Sequence, residues 1–179
     1  MTLEDLIPSK DDPRAIELCG QICPGVAPFF VPVQKWSQSV MLQCFPNVER
    51  KIRVSGGSIV YGWAIHQIPK IHIEAQFHAI WLSPEGRFVD ITEEEFGMSR
   101  ILFLRDDTRT YTGSKVPHFR FALGDKKLAE RYWALCDESQ AILLQLLEAG
   151  FRAGDPGFRQ RLGGINDEIQ QVKARLYAA

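Results

Sequence analysis

The chain has 179 residues, 45% hydrophobic and 24% charged, with a formal net charge of −1. That balance excludes a disordered chain and leaves no broad basic surface for nucleic acid. No apolar run approaches the roughly 18 residues of a membrane span. The acidic, proline-broken start "MTLEDLIPSKDDPR" lacks signal-peptide features, so the expectation is a cytoplasmic protein whose four cysteines are mostly free thiols.

Residues 1–35 are proline-rich. One short helix fits, capped by Asp12, opened by Pro13 and ending near Cys19 or Gly20; the rest is expected to wrap as extended chain. A second helix is predicted from about Phe45, because Pro46 is tolerated only in a first turn. Val48 and Ile52 give it an inward stripe, and "SGG" at 55–57 ends it. Strands are predicted at 58–65, 71–83, 87–92 and 99–105, with "QIPK" as a turn and an acidic loop "EEEFG" before the last. Residues 106–123 read as a long surface loop. Leu128, Tyr132, Leu135, Ile142 and Leu146 mark a helix over 125–149. Residues 150–164, with five glycines, read as a connector to a last helix at 165–177 striped by Ile165, Ile169, Val172 and Leu176. The expected organisation is a single α+β domain over 1–150, with a connector and C-terminal helix over 151–179 docked on it. The sheet is expected to be antiparallel with about four strands.

The stretch "EAQFHAIWLSPEGRFVDIT" (74–92) holds the first chemical signal. "SPEG" suits a type I turn followed by a glycine bulge. In that register Ser83 faces Arg87, Ile80 faces Asp90 and His78 faces Thr92. His78 and Asp90 then share a face as diagonal neighbours, close enough for a carboxylate to orient an imidazole. A nucleophile should sit on a rigid element nearby. Cys44 does, at the predicted start of a helix, where exposed amides and the helix dipole favour a thiolate. The amides after Cys44 are oxyanion-site candidates, with Gln38 and Gln43 as side-chain donors.

The order "QCF" (43–45), "GGSIVYGW" (56–63), "HAIW" (78–81) and "RFVDIT" (87–92) resembles the transglutaminase-like core of the papain-like cysteine enzymes. The resemblance covers about residues 38–92, with Gln43 and Phe45 where the family often has Gly and Trp. It implies a helix bearing Cys44 packed on an antiparallel sheet that carries His78 and Asp90, and the C-terminal helical pair read from the spacing is expected to cover that core. It also implies thiol-dependent acyl transfer or hydrolysis of an amide or isopeptide through a Cys-His-Asp triad. Peptidases, amidases, deamidases and cross-linking enzymes share that core, and so do inactive members that only bind. A protein, peptide or small amide is the expected substrate.

His72, Glu74, Gln76 and His78 alternate along one strand face. At about 6.6 Å between alternate residues this spacing is wide for a shared metal, so no metal and no cofactor are expected. Glu74, Gln76 and Trp81 are read instead as parts of a substrate cleft. Cys19 and Cys23 lack the second cysteine pair of a zinc site.

Overall fold

The computed structural model describes residues 3–41, 43–92, 97–114, 116–150 and 155–178; the acidic loop expected before the last strand falls largely outside them. The chain is α+β and packs as two compact units, Met1–Pro69 with Ile73–Phe121, and Lys70–His72 with Ala122–Ala179.

In the first unit a turn of 3₁₀ helix at Leu3–Leu6 precedes α1, Pro13–Ile22. Asp12 caps α1 by accepting from Arg14 N at 2.8 Å, and Pro13 takes the first turn, where no amide is missed. The extended wrap includes a strand, β1, Phe29–Pro32. Helix α2 runs Cys44–Ser55 and stops at Gly56, whose positive φ of 71° suits glycine. Strands β2 (Ser58–Ile68), β3 (His72–Leu82), β4 (Phe88–Val89), β5 (Arg100–Arg105) and β6 (Phe119–Ala122) follow.

The sheet has six strands rather than four, in the order β1-β5-β2-β3-β4, with β6 also on β3. β2 continues to Ile68, two residues into the expected turn; Lys70, at φ 67°, helps make the short link to β3. β6 lies inside the segment read as a surface loop: its four residues sit between a proline and a glycine, too short a run for alternation to declare itself. A parallel bridge between Val33 and Asp90 joins the two ends of the strand order, so the sheet curls into a near-barrel.

Val31, Val60, Ala64, Ile80, Ile101 and Phe103 fill one core cluster. Val48 of α2 packs with Ala79, Val89 and Ile91 in another, flanked by Phe45, Ile52, Tyr61 and Trp81. The odd–even split of Ala79 and Ile80 is the pleat of β3 at work. Trp63 is fully buried and donates its indole N–H to the Asp106 carboxylate at 3.0 Å.

The second unit is built on a helical pair, α3 (Lys126–Glu148) and α4 (Pro156–Ala178). Each has 23 residues, about 34 Å of helix. Leu146, Phe158 and Leu162 form its buried cluster, and Arg131 meets Glu168 further along. Residues 156–164, read as connector, are therefore helical. Pro156 sits at the first helical position, and Phe158 and Leu162 lie at i, i+4, an apolar pair that outweighs the weak helix propensity of Gly157, Gly163 and Gly164. Trp133 Nε1 donates to His72 Nδ1 at 2.8 Å within this unit.

Candidate functional site

The hairpin has the register counted from its turn. Trp81 pairs with Val89 and Leu82 with Phe88, Ser83 N donates to Arg87 O, and Gly86 at φ 81° makes the bulge. His78 and Asp90 come out as diagonal neighbours, and His78 Nε2 lies 2.9 Å from Asp90 Oδ2. Asp90 is fully buried and His78 is 7% exposed.

Two features hold the carboxylate still. Thr92 N donates to Asp90 Oδ1 at 2.9 Å, an Asx turn that leaves Oδ2 for the ring. The backbone of Asp90 is also committed, its N–H to Pro32 O and its carbonyl to Gln34 N. With Nε2 bonded to Asp90, Nδ1 is the nitrogen open to a second partner.

Cys44, the first residue of α2, places a buried thiol near enough to the His78 ring to act on the imidazole. Burial alone would lower the pKa of His78. The charges of Asp90 and Cys44, and hydrogen bonds to both, outweigh it and raise the imidazole well above its usual 6.5. Burial, helped by Cys23, pushes the Cys19 thiol up to about 11; burial and then Asp106 push Cys23 up to about 11.

Sequence reasoning gave Asn47 no role. It lies one turn after Cys44 and is fully buried. Its Oδ1 accepts from Val40 N at 2.9 Å and from Arg50; its Nδ2 donates to Val40 O at 2.8 Å and Thr92 Oγ1 at 3.0 Å. The loop before Cys44 and the turn after Asp90 are thus pinned by one amide. A closed circuit results: Cys44 to His78, His78 to Asp90, Asp90 to Thr92, Thr92 to Asn47, and back along α2.

The same Asp-x-Thr device occurs a second time. Asp106 Oδ1 accepts from Thr108 N at 2.9 Å and Thr108 Oγ1 at 2.6 Å, and Oδ2 takes the indole N–H of Trp63. There the ring is inert. At Asp90 the ring is an imidazole with a thiol on its other side.

The remaining candidates scatter. Gln43 is the residue before α2 and makes no side-chain capping bond, so its amide stays available. Gln38 is exposed on the preceding loop. Glu74 is engaged by Arg120 at 3.2 Å and by Gln76 at 2.7 Å, which binds both acidic-face candidates to each other. Trp81 does not line the cleft beside Cys44. Its indole donates to Gly56 O at 3.0 Å, and Lys51 lies 4.9 Å from its ring, so it braces the far end of α2.

Beside the first turn of α2 lies an open cleft of about 410 Å³, lined among others by Gln43, Phe45, Phe77, Tyr111 and His118. Among the described residues no cluster of three or more His, Cys, Asp or Glu could hold a metal ion, and no helix is long and apolar enough to cross a membrane. Comparison with protein-family models, with curated proteins and with solved structures gives no match to this chain.

Proposed function

We propose that the chain is a thiol-dependent acyl-transfer or hydrolytic enzyme acting on an amide or isopeptide bond, of transglutaminase-like type. The observation that carries this reading is one imidazole held between a carboxylate at 2.9 Å and a thiol at a helix start. In this reading Cys44 is the nucleophile, His78 the base and acid, and Asp90 the group that fixes the ring. The Cys44 sulfur adds to the substrate carbonyl, and its proton resides on His78. The tetrahedral oxyanion is met by backbone amides of the first turn of α2, with Gln43 as a side-chain donor. Collapse breaks the C–N bond, and the leaving amine takes the proton from His78. Water, or an incoming amine, then attacks the thioester, gives a proton to His78 and frees the thiol.

A binding protein without turnover is the second reading, favoured by the burial of Cys44, which is 8% exposed. Release of p-nitrophenol from p-nitrophenyl acetate separates the two. The enzyme reading expects a burst stoichiometric with protein that disappears in Cys44→Ser. A protein that gives no burst, and whose Cys44 is alkylated only after unfolding, is a binder.

A further inference from the structure

The cleft at the first turn of α2 is an aromatic one, lined by the chain neighbours of Cys44 and not by Cys44 or His78 themselves. Gln43, Phe45 and Pro46, which bracket Cys44, form one wall, and Phe77, Tyr111 and His118 contribute to the rest. A ligand filling the cleft therefore has one end at the first turn of α2. The Phe45 and Tyr111 rings stack at 3.9 Å with 1° between their planes. Phe77 lies 5.5 Å from Phe45, and Tyr61 stacks behind it at 6.1 Å. Half-buried rings in such a panel, two of them already covering one face of each other, leave outer faces and edges to which another ring adapts in offset or edge-on geometry. One hydrogen-bonding group accompanies the panel, the Gln43 amide, which is not used in capping. The volume, about 410 Å³, lies within the range of small-molecule sites.

We infer that this cleft takes the ring of an aromatic acyl donor, whose flat side chain lies against Tyr111 and Phe77 and whose amide lies toward the first turn of α2, the turn that Cys44 opens. The inference rests on the acyl-transfer reading for the carbonyl and on the ring panel for the side chain. A linear aliphatic side chain of similar area would gain burial and forgo the ring–ring term, worth about 0.5–1.5 kcal/mol, or about two- to twelvefold in affinity.

The test uses the full chain carrying Cys44→Ser, titrated with N-acetyl-phenylalaninamide, N-acetyl-leucinamide and N-acetyl-alaninamide by ligand-observed NMR. The phenylalanine amide should bind about two- to twelvefold more tightly than the leucine amide. Tyr111→Ala should remove that preference. Equal binding of the phenylalanine and leucine amides overturns the inference, and this comparison decides even if Tyr111→Ala unfolds. Alkylation of Cys44 in the unsubstituted protein is read separately. Fast alkylation without ring preference overturns the cleft assignment alone. Ring preference with an inert Cys44 supports the cleft as a ring site and overturns the acyl-transfer reading.

Discussion

Asn47 Nδ2 donates to Thr92 Oγ1 at 3.0 Å, tying the helix that begins at Cys44 to the segment that holds Asp90. Removing that amide leaves the Thr92 hydroxyl without its partner in a buried place and breaks two part-buried bonds to Val40 N and O. Asn47→Ala is expected to cost about 2–4 kcal/mol in urea unfolding. Thr92→Val, which keeps the backbone bond to Asp90, should cost only about 1 kcal/mol. A cost for Asn47→Ala within error of zero would show that the amide holds nothing.

Thiol reactivity should single out Cys44. With Cys19 and Cys23 pushed up to about 11, both are protonated at pH 7 and buried. Iodoacetamide followed by peptide mapping should mark Cys44 ahead of both, and His78→Ala should slow it by about tenfold or more. Labelling of Cys19 before Cys44 would contradict the geometry.

The raised pKa of His78 has a consequence for stability. Because the folded state holds the ring protonated above its unfolded pKa of about 6.5, the stabilisation is fully present below that value and fades as pH rises through the folded pKa. Urea unfolding measured from pH 6 to 9 should show stability falling over the alkaline side of that range. His78→Gln should flatten this part of the profile. A parallel slope in the variant would assign the effect to another group.

Gly57 has φ 85°, and a Cβ there would collide with the Leu82 carbonyl oxygen and the Trp81 indole. Gly57→Ala should therefore destabilise by about 2–4 kcal/mol, from strain and clash together. Thermal unfolding measures it, and an unchanged midpoint would mean that the link between α2 and β2 yields easily.

Trp81 braces the end of α2 opposite Cys44, through Gly56. Trp81→Phe should lose about 1 kcal/mol of stability and leave the rate of Cys44 alkylation unchanged. A large fall in that rate would return Trp81 to the cleft.

The parts readable in the sequence are those set by local chemistry. "SPEG" fixes a turn, the turn fixes a register, and the register makes His78 and Asp90 diagonal. Asp12-Pro13 and the glycines after α2 likewise act over one turn of chain. What stayed hidden depends on partners far away in sequence. Phe29–Pro32 becomes a strand only because β5 is beside it, and Phe119–Ala122 only because β3 has an open edge. The helical start of α4 needs α3 to cover Phe158 and Leu162. Asn47 is an ordinary polar residue on a helix until Val40 and Thr92 close around it. "DDT" at 106–108 could have been read beside "DIT" at 90–92, since both place a threonine amide on an aspartate two residues back. What differs is the ring each aspartate holds, and only the fold supplies that.

The Val33–Asp90 bridge, where the curled sheet meets its own first strand, bears on how the protein reaches its working form. Asp90 N donates to Pro32 O at 3.0 Å and Gln34 N to Asp90 O at 2.8 Å. This seam joins distant parts of the chain, and such closures come at a high loop-entropy cost and tend to form late. The hairpin can exist beforehand, with His78 already beside Asp90. The backbone that steadies the carboxylate arrives only with closure. Amide exchange at Asp90 and Gln34 would thus report closure directly, since a chain frayed at this seam would keep most of its core and loosen the His78–Asp90 pair.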